Sequence, residues 1–258
     1  MEENEEINML PTPAVLPEKR RWNVSRILGT LGFIAVICLV LGFSWRVFGF
    51  YREIRDGTIN PALAYTTTDF TRAATAFAAK ASQNANSASL VGVNTPSLGE
   101  KKAKITVVEF ADFGCPYSQE VASIVRAIAQ KYPTDVRVVF RNFPIEEIHP
   151  GSTIAAQAGG CAAEQGKFWE YHDAVLASNE PLGVDMLSSI AENIALDIKQ
   201  FARCIDSNYY ANGVESDIAD GVAAGVTGTP TFFFNGQKVE GSIPFTVFTQ
   251  ILDAMLQT

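Results

Sequence analysis

The sequence predicts an α/β fold in which a helical block is inserted between a βαβ half and a ββα half, with one transmembrane helix ahead of it. Three observations carry this prediction. Residues 27–45 are apolar and uncharged, residues 105–111 and 136–143 are rich in β-branched residues, and an amphipathic helical pattern lies between those two segments. With 258 residues, 47% of them hydrophobic, the chain can bury the core of one or two domains.

Composition excludes several classes of function. The net charge of −8 argues against a nucleic-acid partner, which would require a basic surface. Four cysteines are too few for a small disulfide scaffold. The two histidines, His149 before Pro150 and His172 after Trp169, have no partner at a metal-ligand spacing, so no metal site is expected. No cofactor is expected either.

The N-terminal region predicts a membrane anchor. A short tail, 1–26, ends in a basic cluster, the apolar run 27–45 is long enough to span a bilayer, and the basic cluster favours a cytoplasmic tail. The C-terminal domain would then be extracytoplasmic, in a single-pass protein of the cell membrane. A cleaved signal peptide is the main alternative, although the residues after the run make a poor cleavage site; a buried core helix is the other.

A juxtamembrane linker is predicted at 46–93, followed by one globular domain at 94–258. The linker is rich in Ala, Thr, Ser and Asn, with a weak helix expected at Pro61–Gln83 and a loop at Gln83–Gly99.

The domain is read in order as strand, helix, strand, helical insertion, hairpin and helix. A strand–helix–strand order favours a parallel pair, and Asn-Gly is typical of a hairpin turn. The predicted elements are Ile105–Ala111, Pro116–Lys131, Val136–Phe143, an insertion at about 150–224, Thr231–Asn235, Gln237–Val239 and Pro244–Leu256.

Cys115 is the candidate nucleophile. It follows a strand and a glycine, and Pro116 after it suits the first turn of a helix. Backbone N–H groups at a helix N-terminus stabilise an anion, so they favour the thiolate, which is the reactive form. Ser118 is close enough in sequence to add a hydrogen bond to the sulfur. A small buried apolar residue is the alternative reading of Cys115.

A second motif, Gly228-Thr229-Pro230-Thr231, precedes an apolar strand. A proline at this place sits at the first strand position or in a special turn, and a cis bond is plausible. Taken alone, the motif is also compatible with an ordinary loop.

Together the two motifs resemble the DsbA-like branch of the thioredoxin superfamily, from about Pro96 to the C-terminus. Glu109 on the first strand, Cys115-Pro116-Tyr117 and the segment Cys161–Trp169 add to the resemblance. It implies a thioredoxin-like fold with a helical insertion. It also implies a cis Pro230 beside Cys115 and substrate contacts at Pro116, Tyr117, Thr229 and Pro230.

Ser118 departs from the family pattern, which usually has a second cysteine there. Without it, no disulfide can form within the motif, and release of a mixed disulfide needs a second thiol. That thiol could come from the substrate, from a small thiol or from another cysteine of the chain. The family role of Glu109, moving a proton for the second cysteine, is then in doubt; a merely buried acid is the alternative.

Cys161 and Cys204 are predicted to face inward within the helical insertion, where an oxidising compartment would favour a structural disulfide. Two free core thiols, or one remote resolving thiol, are the alternatives. Cys38 is expected to be an apolar residue of the membrane span.

The sequence therefore predicts a membrane-anchored extracytoplasmic thiol–disulfide oxidoreductase with one active-site cysteine, Cys115, assisted by Ser118 and Glu109. Its expected partners are exported proteins with cysteines and a second thiol or redox partner. The alternative is a redox-inactive peptide-binding or chaperone module. A peroxidase or glutathione transferase on the same fold is a weaker third possibility.

Overall fold

A computed structural model of the protein describes residues 24–55, 75–77, 79–81, 88–92 and 95–257. The chain divides into two units, Met1–Ala64 and Tyr65–Thr258. The first contains the long helix α1, Val24–Arg55. Across the described residues we find no helix whose length and apolar character would carry it through a membrane, so the predicted span at 27–45 is not confirmed. The predicted tail lies outside these residues, except for its last three positions.

The second unit is built on a five-stranded sheet with the order β1-β3-β2-β4-β5. Strands β2 and β3 are parallel, as the strand–helix–strand pattern predicts, and the other neighbours are antiparallel. The strands are β1 (Ser97–Leu98), β2 (Ile105–Ala111), β3 (Val136–Asn142), β4 (Thr231–Phe234) and β5 (Gln237–Glu240).

Nine helices with defined bounds occur in the described residues. Besides α1 they are α2 (Ala88–Val91), α3 (Pro116–Lys131), α4 (Ser152–Glu164), α5 (Phe168–Leu176), α6 (Val184–Asn193), α7 (Ile198–Asp206), α8 (Ala211–Ala223) and α9 (Phe245–Leu256). Helices α4 to α8 form the insertion expected at about 150–224.

Alternation along β2 sends side chains to two different cores. Ile105 and Val107 pack with residues of α3 and α9, including Val125 and Phe248. Val108 and Phe110 face the other side; the neighbours of that second core are Val139, Phe143, Val226, Phe233 and, partly buried, Ile218 of α8. The sheet is therefore covered on both faces, as its largely apolar strands require.

The hairpin turn forms where the Asn-Gly pair predicts it. Asn235 has φ 46° and Gly236 has φ 85°, the left-handed values that a tight hairpin needs and that these residue types tolerate. Four predicted boundaries differ by one residue. Strand β3 ends at Asn142, β4 ends at Phe234, β5 extends to Glu240, and Pro244 is the N-cap of α9 rather than its first residue.

The region predicted as linker and loop contains ordered structure. Residues 75–77 and 79–81 are helical and fall within the weak helix expected at Pro61–Gln83. Ala81 is 1% exposed, and the rings of Phe77 and Phe234 lie 5.7 Å apart. Strand β1 pairs with β3 within the segment Gln83–Gly99 that was predicted to be a loop. The packing of Phe77 on Phe234 and the pairing of β1 with β3 were missed, because each segment is too short to show a periodic pattern.

Candidate active site

Cys115 lies in the turn between β2 and α3, at the N-cap of the helix, and Pro116 occupies its first turn. The Cys115 amide donates to the Asp112 carbonyl oxygen at 3.1 Å, which closes the turn. The residue is 4% exposed. Cys115 therefore stands at the N-terminal end of a 16-residue helix, and its side chain makes no capping hydrogen bond to that helix.

The thiol donates a hydrogen bond to the carbonyl oxygen of Thr229 at 3.2 Å. The Thr229–Pro230 peptide bond is cis, and β4 begins at the next residue. Antiparallel pairing of Phe110 with Thr231 brings this loop to the end of β2. Sheet register thus brings together the two motifs that the sequence resemblance linked.

Ser118 is 1% exposed, and its hydroxyl accepts a hydrogen bond from the Asp112 amide at 3.4 Å. The sequence allowed this hydroxyl to add a hydrogen bond to the sulfur of Cys115. The hydrogen bond found in the structure is instead to the backbone that precedes the turn. Ser118 therefore supports the shape of the turn.

Pro116 and Tyr117 follow Cys115 directly in the first turn of α3. Both are exposed, Tyr117 by 63%. Thr229 and Pro230, the other two residues predicted to contact substrate, belong to the loop whose Thr229 carbonyl oxygen contacts the sulfur.

Glu109 is buried on β2, on the face shared with Val107, and pairs in register with Phe140 and Phe232. Its Oε2 atom has no hydrogen-bond partner. Burial without compensation raises the pKa of Glu109 to about 8, so the acid is protonated at neutral pH.

The pair Asp112–His149 was missed by sequence analysis. The carboxylate of Asp112 is fully buried and accepts hydrogen bonds from the amides of Gly114 at 2.8 Å and Ile145 at 2.9 Å. His149 Nδ1 lies 2.7 Å from the same carboxylate. The only available signal was an acid three residues before the cysteine, because nothing in the spacing of 37 residues links the two side chains.

Cys161 and Cys204 form a disulfide between α4 and α7, which confirms the pairing predicted from their inward-facing helical positions. Both lie in the core of the insertion, which also holds Phe113 from the active-site turn. Cys38 and Cys115 are the free cysteines. Cys38 is exposed on α1. No metal-binding cluster of three or more His, Cys, Asp or Glu side chains occurs in the part of the chain that the structure describes.

A parallel βα unit, an antiparallel hairpin and a cis-proline loop facing a cysteine at a helix N-terminus define the thioredoxin-like fold. The family model described as Thioredoxin matches residues 92–254, and the chain belongs to this family.

Solved structures share the fold. A thioredoxin-like oxidoreductase from Silicibacter pomeroyi is 27% identical, with a TM-score of 0.61 over 67% of this chain and 98% of that one. The thiol–disulfide exchange protein alpha-DsbA2 from Wolbachia pipientis is 20% identical, with a TM-score of 0.58 over 70% of this chain and 97% of the other.

Several curated relatives with similar sequences are named as Na(+)/H(+) antiporters. The Na(+)/H(+) antiporter NhaA 3 of Salinispora tropica is 40% identical over 143 residues, which is 55% of this chain and 22% of the antiporter. The chain thus spans about a quarter of the length of the curated relatives it matches.

Proposed function

We propose that the protein is a thiol–disulfide oxidoreductase of the DsbA type that uses Cys115 as its single active-site nucleophile. The observation that carries this proposal is the placement of the Cys115 sulfur at the N-terminus of α3, 3.2 Å from the carbonyl oxygen of Thr229. A sulfur so placed is favoured as a thiolate by the helix N-terminus and borders the cis-proline loop.

The chemistry proceeds by two exchanges. The Cys115 thiolate attacks one sulfur of a substrate disulfide; that S–S bond breaks, a bond to Cys115 forms, and the other substrate sulfur leaves as a thiolate that takes a proton from water. A second thiol, deprotonated, then attacks the mixed disulfide and releases the Cys115 thiolate. If this thiol belongs to the substrate, it forms a new disulfide within the substrate and the result is isomerisation. If it belongs to a small thiol or a redox partner, it is left in a mixed disulfide with the substrate; a second thiolate of that small thiol or partner then attacks this bond, releases the substrate thiolate and forms the oxidised disulfide, so the substrate is reduced.

Two features support a single-cysteine mechanism. The position that would hold a second cysteine is Ser118, and its hydroxyl is engaged by the Asp112 amide. Cys161 and Cys204 are bonded to each other, so neither is a free thiol in this state. We assign the second thiol to another molecule, an exported protein with cysteines or a redox partner; the remaining free thiol of the chain is Cys38, whose part is tested by Cys38→Ala.

In this proposal the remaining site residues have supporting roles. Exposed Tyr117 and Pro116 contact the substrate on one side of the sulfur, and Thr229 and Pro230 contact it on the other. Glu109, protonated at neutral pH, presents no negative charge behind the active-site turn.

The test measures disulfide exchange with a protein substrate, as the rate at which insulin is reduced in the presence of excess glutathione. We expect the native protein to accelerate the reaction and Cys115→Ala to abolish the acceleration, while Cys38→Ala leaves it unchanged. Without added thiol, native protein should accumulate a mixed disulfide at Cys115, detected by mass spectrometry. Equal rates for native protein and Cys115→Ala would reject the proposal.

A redox-inactive peptide-binding module is the second candidate, and Ser118 is the observation that favours it. Such a module needs the exposed surface around Tyr117 but no thiol. It predicts that peptide affinity is the same in native protein and Cys115→Ala, that Tyr117→Ala weakens it, and that no mixed disulfide accumulates.

The proposed location is an oxidising, extracytoplasmic compartment. A disulfide inside the domain supports it, because such bonds persist where thiols are not kept reduced. Attachment to the membrane through 27–45 is a separate proposal that depends on the hydropathy of the sequence alone. Alkaline carbonate extraction of the full chain tests it: retention in the membrane pellet is expected, and release into the supernatant would reject the anchor.

The antiport named for the curated relatives is not extended to this chain, since the chain corresponds to about a quarter of their length.

A further inference from the structure

His149 contacts the active-site turn although it lies 34 residues after Cys115 in sequence. A Cβ added at Gly114 would meet the Cβ of His149 at 2.6 Å, so the backbone just before the cysteine packs directly against this residue. The side chain of His149 is 16% exposed. The histidine is thus enclosed between the turn and its own loop.

The partner of His149 belongs to that same turn. Asp112 supplies the carbonyl that receives the Cys115 amide, and its own amide donates to Ser118. The carboxylate of Asp112 is fully buried, and His149 Nδ1 lies 2.7 Å from its Oδ2 atom. A carboxylate can only accept this hydrogen bond, so the Nδ1 atom of His149 carries the proton. Either the N–H dipole of a neutral imidazole or the charge of an imidazolium then faces the carboxylate.

A buried carboxylate this close in sequence to a reactive sulfur has an electrostatic consequence. Like charges disfavour each other most where water is excluded, so an uncompensated Asp112 would oppose formation of the Cys115 thiolate. Glu146 is another acid in the loop that contains His149. It is exposed, and its carboxylate accepts hydrogen bonds from the backbone amides of Gly151 and Thr153. The group that offsets the charge of Asp112 is therefore His149, with the amides of Gly114 and Ile145.

We propose that His149 is a positioning residue for Cys115: its imidazole holds the carboxylate of Asp112 and offsets its charge, which keeps the Cys115 thiolate reactive. The inference rests on Cys115 being the reactive thiol, as in the proposed function. It assigns to the loop after β3 a part in the reactivity of a cysteine that lies after β2.

The experiment compares His149→Asn with Asp112→Asn in the full chain. Asparagine at 149 can still donate a hydrogen bond but cannot carry a positive charge as an imidazole can, and asparagine at 112 keeps the shape of the acid without its charge. Alkylation of Cys115 is followed at pH 7 by peptide mass spectrometry, with neutral iodoacetamide and with anionic iodoacetate. Cys38 in the same sample is the internal control.

We expect opposite effects from the two variants. His149→Asn should slow the alkylation of Cys115 by about tenfold, the fold-change that corresponds to about 1.4 kcal/mol, and more with iodoacetate than with iodoacetamide. Asp112→Asn should speed alkylation, most with iodoacetate. A purely structural brace would instead slow Cys115 in both variants and would not distinguish the two reagents.

Three results would overturn the proposal: an unchanged rate in folded His149→Asn, a loss of rate in both variants, or loss of near-ultraviolet circular dichroism in both. If only His149→Asn fails to fold, Asp112→Asn decides, and the absence of a faster rate rejects the proposal. Alkylation does not depend on turnover. A reactive Cys115 that catalyses no disulfide exchange would reject the proposed function and leave this inference standing.

Discussion

Asp217 of α8 accepts a hydrogen bond from Arg141 Nε of β3 at 2.7 Å, and this ion pair joins the helical insertion to the sheet. Arg141 is 1% exposed and also contacts Asp220 and the carbonyl of Leu90. A guanidinium buried beneath a helix requires such partners, since an unpaired charge there is costly.

The two aspartates that hold Arg141 should contribute unequally to stability. Asp217 is 13% exposed and also accepts the amide and the side-chain Nδ2 of Asn142, whereas Asp220 is 44% exposed. We expect Asp217→Ala to lower the free energy of unfolding by about 3–5 kcal/mol and Asp220→Ala by about 1 kcal/mol or less. Urea unfolding measures both; equal losses would contradict this difference.

Ser118→Cys should convert the active site to one that forms an internal disulfide. The side chain at 118 sits on the first turn of the helix that Cys115 caps, which is the spacing of a two-cysteine motif. After mild oxidation, we expect Cys115 in this variant to resist alkylation and to be recovered by dithiothreitol. Mass spectrometry would detect the loss of two hydrogens.

Ser118→Ala is the matched control for that variant. It removes the acceptor of the Asp112 amide without adding a thiol, so Cys115 should stay open to alkylation after oxidation. Continued alkylation of Cys115 in oxidised Ser118→Cys would show that the two side chains do not reach each other.

Local sequence signals predict well the succession of the longer strands and helices along the chain, because β-branched runs and amphipathic spacing are set within a few residues. The bounds of β2 and α3 agree with the sequence prediction. Strand β1 has only two residues and depends on pairing with β3, so no local pattern indicates it. The packing of Phe77 on Phe234 was missed for the same reason.

The site was predictable where it depends on short motifs and unpredictable where it depends on long-range contact. Cys115 and Thr229-Pro230 are recognised from adjacent residues. The Asp112–His149 pair joins two loops that only the completed fold brings together, and the direction of the Ser118 hydroxyl depends on the backbone of the turn.

Glu109 should make the protein less stable as pH rises from about 4.5 to about 8. The folded-state pKa of about 8 is above the ordinary value of 4.5, so in this range the folded protein keeps a proton that the unfolded chain has released. The stabilisation of the folded state is complete below the lower value and is lost at about 1.4 kcal/mol per pH unit up to the upper one.

Glu109→Gln removes this titration while keeping the shape of the side chain. We expect the variant to be more stable than the native protein at pH 8 and to differ from it least near pH 4.5, as measured by urea unfolding at several pH values. Glu120→Gln, at an exposed position of α3, controls for the loss of one acid. A constant difference between Glu109→Gln and native protein across this range would rule out the raised pKa.

Two glycines of α8 should respond in opposite directions to alanine, because only one of them lies against the sheet. A Cβ added at Gly221 would meet the rings of Phe143 at 2.7 Å and Phe110 at 3.0 Å, whereas at Gly213 it would meet no atom within 4 Å. Overpacking of a core typically costs about 1–3 kcal/mol, and alanine for glycine in an open helix position gains about 1 kcal/mol.

We therefore expect Gly221→Ala to lower the midpoint of urea unfolding and Gly213→Ala to raise it. Since α8 also carries Asp217, displacement of the helix by the new methyl group at 221 should weaken the contact to Arg141. Combining Gly221→Ala with Asp217→Ala tests this link, and the double variant should lose less stability than the two single losses added together. Strict additivity would show that the helix accommodates the methyl group without moving away from β3.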